Sequence, residues 1–134
     1  MAHIVILGAG IGGMSCAYEM REQVRPEDRV TVISDSPEFQ FTPSNPWVAV
    51  NWRTREDITI QVEPYLERKN IDMIAIPAKR VHPEKNQVEL TDGHIVDYDF
   101  LVIATGPKLA FDEVEGMGPG KNTYSICQVD HAVE

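Results

Sequence analysis

The sequence predicts an α/β fold in which a parallel sheet carries a three-stranded antiparallel β-meander insertion. Three stretches carry that expectation. Ile4 to Leu7 is an apolar run that breaks into Gly8-Ala-Gly-Ile-Gly-Gly13 and leaves as a helix; Arg29 to Ile33 repeats the β-branched pattern; Asp99 to Gly106 is a second continuous apolar run ending on glycine. Continuous apolar runs belong to strands covered on both faces, as in parallel sheets.

Gly8, Gly10 and Gly13 stand at G-x-G-x-x-G spacing between strand and helix. At such a turn the first glycine lets the chain bend sharply, the second removes a Cβ that would block a pyrophosphate, and the third lets helix and strand pack closely. The free N–H groups and positive dipole end of the helix then face the phosphates. The segment therefore reads as a Rossmann-like FAD/NAD(P)-binding unit, with Gly8, Ala9, Gly10, Ile11, Gly12 and Gly13 along the pyrophosphate. The motif alone does not separate FAD from NAD, and a tight turn without a ligand is its bland alternative.

After the glycines, Ile11, Met14, Ala17, Tyr18 and Arg21 share one helical face, and Arg25-Pro26 stops the helix. Cys16, inside this element, reads as a small core hydrophobe. Arg29 to Ile33 is the second strand. The residue at its end, about 20 positions past the last glycine, normally holds ribose hydroxyls with a carboxylate; here Ser34 stands there and Asp35 follows. Either can hydrogen-bond a hydroxyl, Asp35 if the turn bends, and Asp35 also reads as a solvated turn former. Glu38 to Trp52 then crowds two Phe, two Pro and two Trp into an irregular stretch. That much aromatic surface covers something flat or packs into a core, and the residues leave the two readings level.

Arg53 to Asp57 is a charged connection, and Val62, Tyr65 and Leu66 mark a short helix with Pro64 in its first turn. Asp72 to Ile76 is the third strand. Lys79 to His82, Gln87 to Leu90 and Ile95 to Tyr98 read as the meander, with Thr91-Asp-Gly-His94 a hairpin signal. The chain re-enters the parallel sheet at Asp99. Carboxyl ends of such strands face the ligand crevice, which puts Thr105 and Gly106 near a cofactor; a plain strand end is the alternative. Phe111 to Asn122 is a Gly- and Pro-bearing loop or linker. The expected division is a nucleotide-binding domain over 1–110, incomplete, and a linker with the start of a helix over 111–134.

Ser125-Ile-Cys-Gln128 has the form of a capping box, with Ser125 as N-cap. Cys127 would then sit in the first helical turn, where the dipole favours thiolate, with His131 one turn on. The pair reads as a reactive thiol and imidazole, or as a half-buried cysteine that happens to precede a surface histidine. His3, His82 and His94 lack metal-ligand spacing and read as structural or solvated.

At 134 residues and 43% apolar, the chain suits one globular domain, and a net charge of −9 with scattered acids argues against a nucleic-acid surface. No apolar stretch approaches a membrane span, and no secretory signal opens the chain, so synthesis in the cytoplasm is expected. Two cysteines, far apart, make neither a disulfide scaffold nor a C-x-x-C site.

With strand-GAGIGG-helix, VTVIS, the meander and LVIATG in that order, the chain resembles the flavin domain of the flavoprotein disulfide reductases. FQFTPSNPWVAVNW at 39–52, ATGPKLAF at 104–111 and SICQVDHA at 125–132 narrow the resemblance to sulfide:quinone oxidoreductases, which also fits Ser34 at the ribose position. The resemblance implies FAD along the crevice, with its adenosine ribose near Ser34 and Asp35. Ala78 would touch the adenine side through its backbone, and Thr42, Pro43, Gly106 and Lys108 would border the flavin or the rest of the cofactor. It implies that sulfide is oxidised at cysteine sulfur beside the flavin, Cys127 matching the first of three redox cysteines and His131 a nearby histidine, and that a membrane quinone is reduced. Proteins of that family are longer, with a C-terminal portion on the membrane, so the chain is expected to be an N-terminal piece, inactive alone, of a peripheral membrane enzyme. An incomplete crevice would leave apolar area uncovered, which could promote a homo-oligomer. A flavocytochrome c sulfide dehydrogenase subunit, a type II NADH dehydrogenase and a non-catalytic nucleotide-binding module are the other readings.

Overall fold

A computed structural model describes residues 1–133. In chain order the elements are β1 (His3–Leu7), α1 (Ile11–Gln23), β2 (Arg29–Ile33), β3 (Glu38–Gln40), α2 (Asn45–Ala49), β4 (Thr59–Gln61), α3 (Glu63–Glu67) and β5 (Asp72–Ile74). Then follow β6 (Ala78–His82), β7 (Gln87–Leu90), β8 (Ile95–Asp97), β9 (Phe100–Ile103) and α4 (Val129–Val133). Two compact units form: one from Met1–Phe39 with Gln61–Gly106, the other from Gln40–Ile60 with the residues from Pro107 on. Compactness thus groups the aromatic segment with the C-terminal part, where the sequence suggests a single division near 110.

In the first unit the sheet order is β5-β2-β1-β9, and the three pairings are all parallel. The expected α/β fold is therefore present, with β6-β7-β8 as a separate antiparallel sheet. Its apolar strands serve two faces. Ile4 and Ile6 of β1 and Val30 and Val32 of β2 pack with Met14 and Ala17 of α1 and with Leu66 of α3. Their alternates Val5, Leu7 and Ile33 pack instead on Val88 and Leu90 of the meander. Covering on both faces is why these strands show no polar alternation. Cys16 is half-buried against the helix-side core. Ile11 departs from the expected helical face: it is 42% exposed, whereas Gly13 and Met14 of the same turn are buried against the strand end.

In the second unit the aromatic segment is more regular than its prolines suggest. Thr42–Ser44 is a 3-10 turn and α2 follows, with Pro43 and Pro46 in first-turn positions where a missing N–H leaves nothing unpaired. Trp47 and Trp52 are exposed, whereas Phe39, in the first unit, is half-buried against the helix-side core. The small core of the second unit is Val48, Ile58, Val129 and Ala132. Among the described residues no helix is long and apolar enough to cross a membrane.

A carboxylate knot ties the start of β1 to the turn before β2. Asp28 is 6% exposed and accepts from Ala2 N at 2.6 Å, Arg25 N at 3.2 Å and Arg25 Nε at 3.1 Å. The Ala2 amide and then the Arg25 guanidinium hold its carboxyl down at about 2, below the ordinary 3.8. A depressed carboxyl means the unfolded chain binds more protons than the native one between those values. The stabilisation is therefore present above about pH 4 and is lost as pH falls towards 2. Asp28→Asn should lower Tm at neutral pH, with the gap to wild type shrinking as acid is added. A gap independent of pH would exclude the charged knot as its cause.

Candidate functional site

The carboxyl ends of β1, β2 and β9 meet at the glycine turn. Gly8 N donates to Ile33 O at 2.7 Å and Ala104 N to Leu7 O at 2.8 Å, so the turn is stitched to both neighbouring strand ends. β1 lies between β2 on one side and β9 on the other, the point at which strand order reverses and where open α/β sheets bind ligands.

Each glycine of the motif has a separate physical reason. Gly8 has φ +105°, and a Cβ there would lie 2.4 Å from Ala104 O. A Cβ on Gly13 would fall 1.8 Å from Gly8 O, so α1 could not approach the turn. At Gly10 a Cβ would meet nothing within 4 Å. Gly8 and Gly13 are thus required by the fold, whereas no protein atom asks for glycine at position 10. Gly10 is the N-cap of α1, with no side-chain cap and no acidic residue in the first turn. Met14 N makes the first intrahelical bond, to Gly10 O at 2.9 Å, which leaves the N–H groups of Ile11, Gly12 and Gly13 for an outside acceptor. Three free amides at a positive dipole end, beside a position kept clear of side chain, fit the diphosphate of a dinucleotide.

The other expected residues of the first unit lie at strand ends, those after β2 and β9 beside this turn and Ala78 in the meander. Ser34 and Asp35 follow β2, and Ser34 Oγ donates to Asp35 Oδ1 at 3.2 Å, so serine and acid form one polar pair at the expected ribose position. Thr105 and Gly106 are exposed just past β9, and the Thr105 backbone lies against the Gly8 turn. Ala78 opens β6, exposed and opposite Leu90. Ala9 is buried beneath the turn.

The remaining expected residues belong to the second unit. Thr42 and Pro43 are exposed in the 3-10 turn, and Lys108 is exposed. Cys127 is exposed and free. The expected capping box does not form: α4 starts at Val129, so Cys127 precedes the helix rather than opening it. Ser125 Oγ does take the Cys127 N–H at 3.0 Å, but Ile126 to Gln128 bend away from helical geometry and the helical ladder begins only with Ala132 N donating to Gln128 O at 3.2 Å. His131 is half-buried on α4, with its ring 5.5 Å from that of Phe111 and its buried Nδ1 without a partner among the described residues. Among the described residues no hydrogen bond joins Cys127 to His131.

The sequence reading passed over Asn45, fully buried on α2, whose Nδ2 donates to Ile126 O at 2.9 Å. The partners are 81 residues apart, and no local pattern announces the contact. His3 pairs with Thr31, His82 with Glu89 and His94 with Asp92. Among the described residues no group of three His, Cys, Asp or Glu is placed to hold a metal.

The family described as pyridine nucleotide-disulphide oxidoreductase matches residues 2–134. The chain belongs to that family. Within it, the chain is 42% identical to the sulfide-quinone reductase of Aquifex aeolicus over 98% of its own length and 30% of that protein's. It is 29% identical to the mitochondrial sulfide:quinone oxidoreductase of Dictyostelium discoideum, over 93% of this chain and 29% of that one. The crystal structure of the Aquifex aeolicus sulfide:quinone oxidoreductase superposes with a TM-score of 0.88, covering 99% of this chain and 30% of that one. The resemblance read from the motifs is thus borne out, and the chain spans about 30% of the length of these relatives.

Proposed function

We propose that the chain is the N-terminal FAD-binding part of a sulfide:quinone oxidoreductase, a peripheral membrane flavoprotein that oxidises sulfide and reduces a membrane quinone. The 42% identity to the Aquifex aeolicus sulfide-quinone reductase over 98% of the chain carries this reading. The glycine turn supplies its cofactor chemistry: the amides of Ile11, Gly12 and Gly13 would hold the FAD diphosphate, with Ser34 and Asp35 at the ribose. Ala78 is assigned to the adenine side, and Thr42, Pro43, Thr105, Gly106 and Lys108 to the remainder of the cofactor. Bound FAD supplies a two-electron acceptor.

In this reading Cys127 is the sulfur that meets sulfide. Its exposure leaves the sulfur open to a small hydrated ion, and joining two sulfide-level sulfurs releases two electrons, for which bound FAD would be the acceptor. His131, whose Nδ1 has no partner among the described residues, is the group assigned to take the thiol proton. Without the rest of a chain of the relatives' length, turnover is not expected from these residues alone.

The test is a spectrum of the protein that carries this chain. Sulfide should bleach its visible flavin band, and a soluble quinone should restore it. Cys127→Ala should slow bleaching on the order of a hundredfold or more, as loss of an acting nucleophile does; Cys16→Ala should not. Full-rate bleaching by Cys127→Ala would remove Cys127 from the chemistry, and a flavin bleached by NADH but not by sulfide would favour a dehydrogenase.

A further inference from the structure

The peptide unit joining Ile126 to Cys127 is held at both of its polar atoms. Its carbonyl oxygen accepts from Asn45 Nδ2 at 2.9 Å, and its N–H donates to Ser125 Oγ at 3.0 Å. A carbonyl oxygen only accepts, so this contact fixes which end of the Asn45 carboxamide faces it. The donor itself is firmly mounted. Asn45 is fully buried in the first turn of α2, and one turn along the same face Val48 packs with Val129 and Ala132 of α4. Ser44, immediately before it, is also buried and accepts from Arg53 Nη1 at 2.6 Å.

Stability alone does not select a carboxamide here: among the described residues Asn45 Oδ1 is buried with no partner, and an unsatisfied buried acceptor costs stability that an apolar residue of the same size would not. What the carboxamide does accomplish is orientation. Holding both ends of one peptide fixes its plane, and with it the position of the Cys127 Cα and the direction of the N–Cα bond from which its side chain departs. The thiol is exposed, so no side-chain packing would otherwise aim it.

We propose that Asn45 and Ser125 are positioning residues that hold the Cys127 Cα, and so the reach of its sulfur, through the Ile126–Cys127 peptide, a role that rests on the function proposed for Cys127. Neither acts on the sulfur directly. Because both grip the same peptide, losing either releases the plane, and the two losses are not additive.

Amide exchange at Cys127, followed by NMR, reads the grip, and kcat for sulfide oxidation in the protein that carries the chain reads its consequence. Asn45→Ala is the decisive variant, because it removes a contact to the carbonyl and not to the N–H whose exchange is measured. It should speed exchange at Cys127 about tenfold, with Val129 and Ala132 close to wild type. It should also lower kcat by about tenfold with the KM for sulfide unchanged. Ser125→Ala, at a half-buried surface position, should do the same to kcat, the double variant should be no worse than the weaker single, and Ser125→Thr should retain wild-type values.

Unchanged exchange at Cys127 in Asn45→Ala would overturn the proposal, as would exchange at Val129 and Ala132 that rises equally. If Cys127→Ala abolishes activity while Asn45→Ala and Ser125→Ala keep wild-type kcat, positioning fails and the function stands. A fully active Cys127→Ala enzyme would instead sink the function proposed for that cysteine.

Discussion

Gly13→Ala should leave the chain unable to fold, whereas Gly12→Ala, one residue earlier, should stabilise it. The new methyl at 13 would sit 1.8 Å from the Gly8 carbonyl oxygen, and the obstacle is backbone that cannot turn aside. Overpacking a core usually costs about 1–3 kcal/mol when side chains can yield. Here α1 as a whole would have to lift from β1, exposing Met14 and Ala17 from the helix-side core. Against a typical total stability of about 5–15 kcal/mol, that is enough to unfold a small unit. Gly8→Ala should behave the same way, since φ is +105° and Ala104 O would be 2.4 Å from the new atom. At Gly12 a Cβ meets nothing within 4 Å, and alanine in a helix is better than glycine by up to about 1 kcal/mol. Thermal melts of the three variants check this. A Gly13→Ala protein melting with the wild type would mean that helix and turn are not in contact as described.

Gly10→Ser should separate binding from folding. Gly10 has φ −76° and ψ −174°, the extended geometry of an N-cap that serine adopts readily. The serine hydroxyl would cap the free amides of the first turn, so stability should hold or rise by a few tenths of a kcal/mol. The same hydroxyl would occupy the place kept for the diphosphate. FAD affinity should fall at least about tenfold, roughly 1.4 kcal/mol. Calorimetric titration alongside a melt gives both numbers from one preparation. Unchanged FAD affinity in a well-folded Gly10→Ser chain would show that the open position is not used.

The sheet and the glycine turn were legible because their physics is local. A strand buried on both faces leaves a continuous apolar run, and a close approach of helix to strand leaves a glycine at a fixed offset. The end of the second strand, where Ser34 and Asp35 stand, was legible for the same reason. The second unit was not. Pro43 and Pro46 look like breakers, yet each falls in a first turn, where proline is harmless, and α2 forms. Ser125-x-x-Gln128 looks like a capping box, but Ile126 to Gln128 bend and α4 begins later, at Val129. Nothing in the sequence links Asn45 to Ile126, because a single hydrogen bond across 81 residues leaves no periodicity or spacing to read. The hold on the peptide before Cys127 is thus a contact visible only after folding.

The central claim is that the amides after β1 seat a diphosphate. Its most direct test is an NMR titration of the isotopically labelled chain with FAD, following backbone amides one by one. The account predicts saturable shifts at Ile11, Gly12 and Gly13, little change at Val88 in the meander, and loss of the effect in Gly10→Ser. Saturating FAD that leaves those three amides where they were would contradict it.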